Sequence, residues 1–171
     1  MVLGRSAATI AEISFSVQMK LFIDELYQHA GGGSLADLSW LIVVALSIAQ
    51  LFCWLSVVNR SHLGHVIEES LWGISFTYIT VAIAFALPET EGAWRQISWV
   101  AVISSSVYVV YMFAVDVPMY LKRWRADTHQ RQALSLEALR DAWGRREVTR
   151  SWSIWRAEAI WLTGYFAGAV W

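Results

Sequence analysis

The run Leu38–Val58, LSWLIVVALSIAQLFCWLSVV, contains no Asp, Glu, Lys, Arg or His. As a helix rising about 1.5 Å per residue, it covers roughly the 30 Å hydrocarbon thickness of a bilayer. It therefore predicts a membrane-spanning helix. Upstream, Gly31–Gly33 breaks whatever precedes it, and Ser34 with Asp37 has a capping-box spacing.

Outward from this run the pattern repeats. Ser70–Leu87 is charge-free and ends at Pro88, and Gln96–Val115 is charge-free and ends at Asp116 and Pro118. Trp152–Trp171 is apolar after Glu158 but carries Arg156 and Glu158 near its start. It spans if those charges lie at the interface or face other helices. Ala7–Ile23 is mostly apolar but interrupted by Glu12, Gln18 and Lys20. Phe15, Met19, Phe22 and Leu26 recur there at helical spacing, which fits an interfacial amphipathic helix as well as a span. No secretory leader is expected, because only Arg5 supplies a basic start and no long apolar core leads to a small-residue cleavage site.

The expected fold is all-α: a polytopic integral membrane helical bundle of four spans, five if the N-terminal segment inserts, plus a cytoplasmic amphipathic helix. Its parts are an N-terminal amphipathic or spanning helix (1–30), a Gly-rich linker (31–34), a three-span core (35–117), a basic loop (118–150) and a C-terminal span (151–171). Ser135 is a plausible cap for the loop helix, with Leu136, Leu139 and Trp143 on one face and Glu137, Arg140, Asp141 and Arg145 on the other. Such a helix suits the inner membrane surface, its basic residues near anionic lipid.

Composition agrees. Of 171 residues, 57% are hydrophobic and 16% charged, which excludes a disordered chain. A formal charge of -1 leaves no basic field to steer nucleic acid. The single cysteine, Cys53, can form no internal disulfide, and no cysteine pair offers zinc-finger spacing. Walker, GxSxG, HExxH, dinucleotide and CxxCH haem motifs are absent from the sequence. Trp40, Trp94, Trp99, Trp152 and Trp171 fall at expected span ends, where indole rings prefer the headgroup level.

Lys122, Arg123, Arg125, Arg131, Arg140, Arg145, Arg146 and Arg150 all follow the third run, whereas Arg60 and Arg95 stand alone in the other two connections. The positive-inside rule puts the basic loop in the cytoplasm of a bacterial-type inner membrane and the Glu89/Glu91 loop outside. The first connection, from Arg60 to Glu69, then lies inside.

Chemistry must come from the ionisable residues near the membrane. In the segment Asn59–Ser70, His62, His65 and Glu69 fall at i, i+3 and i+7, one face of a helix. This is a metal-ligand or proton-relay spacing, so a divalent metal on His62, His65 and Glu69 is one expectation. By the topology, Asp116, Tyr120, Arg123, Arg156 and Glu158 share the same leaflet. Glu69, Glu158, His65 and Asp116 are therefore the candidate catalytic groups, and Tyr120, Arg123 and Arg156 the candidate orienting groups. The bland readings are interfacial histidines, carboxylates favoured at a helix start, positive-inside anchors and structural salt bridges.

His65-Val66-Ile67-Glu68-Glu69 resembles the His-x-x-x-Glu element of the sterol-isomerase and sigma-2-receptor membrane family, and Arg156-Ala157-Glu158 resembles that family's second acidic helix. In that family two carboxylates and a histidine shift a double bond in a lipid. Here a further pair of spans separates Glu69 from Glu158, which departs from the family's helix order. The resemblance covers about a dozen residues and implies only that such a constellation supports lipid chemistry.

Three functions compete. One is a membrane-embedded enzyme acting on a lipid or isoprenoid by acid/base or metal-assisted chemistry. The second is a non-catalytic subunit of a larger respiratory, photosynthetic or transport complex, with Gly164 and Gly168 as a helix-packing pair. The third, ion or proton translocation, needs polar groups through the whole depth, and the three central runs place no charge there.

Overall fold

The computed structural model describes residues 2–126, 134–144, 151–156 and 159. The described residues are all-helical, without a strand: α1 (Val2–His29), α2 (Ser34–Asp37), α3 (Trp40–Asn59), α4 (His62–Ala86), α5 (Gly92–Tyr111), α6 (Val117–Ala126), α7 (Leu136–Gly144) and α8 (Trp152–Trp155). Three stretches, Ser34–Asn59, His62–Glu89 and Gly92–Ala126, are long and apolar enough to cross a membrane. They contain the three charge-free runs. Most of the expected C-terminal span lies outside the described residues.

The α3–α4 hairpin turns within two residues. Arg60 takes a left-handed conformation (φ 55°) at the end of α3, and Ser61, extended, begins α4 by accepting the Leu63 N–H on its hydroxyl at 3.4 Å. The two helices then touch closely at Gly64, where a Cβ would sit 2.4 Å from the Phe52 carbonyl oxygen. Only a residue without a side chain lets the backbones approach so near.

α1 lies inside the bundle, with Ile23 and Leu26 fully buried. It runs antiparallel to α3: Thr9 bonds Gln50 near one end, and Ser39 donates to Asp24 at 2.6 Å near the other. It is also threaded along α4. Phe15 stacks on Trp72 and Phe76, with ring centroids 6.2 and 6.3 Å apart, and the Tyr27 hydroxyl donates to the Ala82 carbonyl at 2.9 Å. α4 is thus the central helix, packed against α1, α3, α5 and α6.

α5 is peripheral. Ile97, Val100, Ile103, Val107 and Val110 form an exposed stripe at helical spacing, while Thr80 and Ser105 join it to α4 by a 2.8 Å hydroxyl hydrogen bond. The sequence places a stop at Asp116 and Pro118, yet the helix continues to Ala126. A five-residue π turn, Met112–Asp116, precedes Pro118, which then occupies the second position of α6. Proline lacks an N–H, and the first turn of a helix needs none from it, so a wide turn followed by a fresh first turn carries the chain through.

α7 forms where the spacing predicts, its Ser135 hydroxyl accepting the Ala138 N–H at 3.1 Å. Ala138 and Ala142, rather than the larger apolar residues, pack on Val58 and Val2. Leu136, Leu139 and Trp143 face outward.

Candidate functional site

The polar residues gather at the end of the bundle that holds the α3–α4 turn. Glu68 and Glu69 are two turns into α4, about 10 Å along the helix from His62. Consecutive positions on a helix diverge by about 100°, so these two carboxylates serve different neighbours.

Glu68 faces α1 and α3 and is 4% exposed. Its Oε2 lies 2.9 Å from His65 Nδ1, and its Oε1 lies 3.6 Å from an Arg5 guanidinium nitrogen. The same Arg5 nitrogen reaches Glu12 Oε1 at 3.0 Å. Gln50 ties the group together: its carbonyl accepts from Arg5 and its amide donates to Glu12. Thr9 completes the wall, donating to Gln50 at 3.2 Å and accepting from the Trp54 indole at 3.1 Å. Cys53, 1% exposed and one helical turn beyond Gln50, places Sγ 4.0 Å from His65 Nδ1. Cys53, His65 and Glu68 each present a ligand atom, all within 4.8 Å of one another, so this group could hold a metal ion.

Glu69 faces the other way and is half-buried. It sits in the electrostatic field of Glu68, Asp116 and Glu12, with Arg5 as the opposing charge. Asp116, in the π turn, accepts the Tyr111 hydroxyl at 3.0 Å. The exposed Arg123 guanidinium lies over the Tyr120 ring, 5.7 Å from its centroid. The half-buried His65 joins the two sides of α4, its ring centroid 5.0 Å from that of Tyr120.

The structure therefore brings His65, Tyr120 and Arg123 together, with Asp116 one helical turn before Tyr120 and Glu69 one turn after His65. His62 stands beside them, its ring 6.4 Å from His65 and 6.2 Å from Tyr120. The set His62, His65 and Glu69 does not close into a ligand group among the described residues; His65 closes instead with Cys53 and Glu68. A carboxylate at i+3 reaches back toward its histidine because helical side chains tilt toward the N-terminus. Arg156 is exposed and follows α8. Glu158 lies outside the described residues.

Spacing within one segment did not single out Arg5, Glu12, Gln50, Cys53 or Glu68. A signal existed for some of them: Arg5 and Glu12 are seven residues apart, on one helix face, and Gln50 is the single amide in an otherwise apolar run. No protein-family model, curated protein or solved structure matches this chain.

Proposed function

We propose that this protein is a membrane-embedded enzyme that carries out acid/base chemistry on a lipid or isoprenoid where α4 packs against α6. The observation that carries the reading is that the Asp116–Tyr111 pair and the His65–Tyr120 ring contact lie at the end of α4 that carries Glu69, one turn after His65. Ionisable groups at membrane depth are costly, which makes their convergence a mark of function. A substrate dissolved in the bilayer reaches such a site sideways, without crossing water.

In this reading Glu69 and Asp116 exchange protons with the substrate, and His65 returns them. Tyr120 and Arg123 fix its polar end. Glu158, outside the described residues, is assigned to the same set from its place in the sequence, with Arg156 two residues before it. General acid/base groups of this kind contribute about 10²–10⁴-fold each. The basic stretch after α6 holds this end at the cytoplasmic leaflet. α1 and the apolar C-terminal run of the sequence bring the spans to five in this reading, and α7 lies on the inner surface with Leu136, Leu139 and Trp143 toward lipid.

The test is direct. The full chain is reconstituted in nanodiscs of native membrane lipid extract, and the lipids are compared before and after incubation by chromatography and mass spectrometry. Wild-type protein is expected to alter one lipid class, and Glu69→Gln to slow that change about 100-fold or more. Unchanged lipids with folded wild-type protein would overturn the enzyme reading.

A second reading, a non-catalytic subunit of a larger membrane complex, is favoured by the exposed stripe on α5. It predicts that the chain leaves mild-detergent extracts of native membranes in stoichiometric association with other polypeptides. It also predicts that Val100→Trp and Val107→Trp disrupt this association.

A further inference from the structure

We propose that Cys53, His65 and Glu68 bind one divalent transition-metal ion of the zinc class, clamping α3 to α4. The inference shares His65 with the lipid chemistry above but does not rest on it, and its readout is metal binding rather than turnover.

Geometry is the first support. Donor atoms around a tetrahedral zinc ion, at bond lengths of roughly 2.0–2.3 Å, lie about 3.3–3.7 Å apart. The His65 Nδ1 to Glu68 Oε2 and Cys53 Sγ to His65 Nδ1 separations, 2.9 and 4.0 Å, straddle that range. All three ligand atoms lie within 4.8 Å of one another, so shifts of up to about an ångström would centre them on one ion. The backbone approach that Gly64 permits is what brings Cys53 of α3 opposite His65 of α4.

Charge is the second. Arg5 faces both Glu12 and Glu68, so one guanidinium stands against two carboxylates in the bundle interior. A buried excess of negative charge calls for a compensating cation. A dication ligated by the Cys53 thiolate balances the set: two positive charges and Arg5 against the thiolate, Glu68 and Glu12. Protonated His65 would balance the carboxylates as well, but it gives the buried thiol beside it no part. Mixed sulfur, nitrogen and oxygen donors select zinc, cobalt or a similar borderline ion and disfavour calcium and magnesium, which take oxygen ligands. Three protein ligands leave a fourth position for water or substrate.

The chain has one cysteine, so any thiolate-to-metal charge-transfer band reports Cys53 alone. The full chain, purified in detergent and stripped with chelator, is titrated with cobalt(II). One cobalt per chain is expected, with a near-ultraviolet thiolate band and the intense visible bands of a tetrahedral site, both displaced by one equivalent of zinc(II). Cys53→Ser should remove the thiolate band, and Glu68→Gln should weaken cobalt binding roughly 10-fold or more. The wild-type spectrum decides even where a variant fails to fold. Absence of stoichiometric cobalt in folded wild-type protein overturns the site. Cobalt bound without a thiolate band, and lost in His62→Ala, also overturns it by placing the ion on the His62 side.

Discussion

The two ends of the bundle both bury polar groups, but they arrange them differently. At the Gly31–Gly33 end, each of the named polar atoms meets one partner atom. Lys20 pairs with Asp24, Ser39 caps the other Asp24 oxygen, Tyr27 meets the Ala82 carbonyl, and Tyr78 meets that of Leu35. A cavity of about 490 Å³ opens there, lined by Lys20, Asp24, Tyr27, Asp37 and Trp40 among others, with water access to its charges. At the α3–α4 turn end, one guanidinium serves two carboxylates, and a thiol and an imidazole crowd against one of them. Matched pairs hold helices together; a mismatched set leaves charge for something else to answer.

The contrast can be broken by substitution, with stability followed by titrating the folded protein in mixed micelles with sodium dodecyl sulfate and reading circular dichroism. Arg5→Met should cost most, about 3–5 kcal/mol, because it strands Glu12 and Glu68 without their shared cation. Glu12→Gln in that background should recover part of the loss. Gly64→Ala comes next, at about 1–3 kcal/mol, since the new methyl meets the rigid Phe52 carbonyl. It should also abolish the thiolate–cobalt band by parting Cys53 from His65. Tyr27→Phe at the other end removes one buried hydrogen bond and should cost about 0.6–1 kcal/mol. Lys20→Met should cost least, under about 1 kcal/mol, because that pair is about one-third exposed. Equal losses from Arg5→Met and Lys20→Met would erase the distinction between the ends.

The spans were legible because a charge-free run of bilayer length has few places to go except into a membrane. The helical segment before span two was legible too, since α4 begins at His62. The Arg5–Glu12–Gln50–Glu68 network was not, since its members are joined by packing of α1 against α3 and α4 rather than by local spacing. The choice between Glu68 and Glu69 turns on side-chain direction, which a spacing rule does not carry. At Pro118 the helix continues because a π turn absorbs the break, and no single residue announces such a turn. In α7 the small alanines dock and the large apolar residues turn out, the reverse of a hydrophobicity ranking, because close helix contact selects small side chains.

The position of Arg5 also bears on the order of synthesis. Its partner Gln50 lies 45 residues later in the chain, and Glu68 lies later still. At about 5–20 residues per second, several seconds pass between the emergence of α1 and that of the groups that neutralise and bond it. If α1 spans the membrane, settling there alone would leave the Arg5–Glu12 pair without its bonds to Gln50. It must wait at the membrane surface until the α3–α4 hairpin is in place, so the first helix made is among the last to be seated.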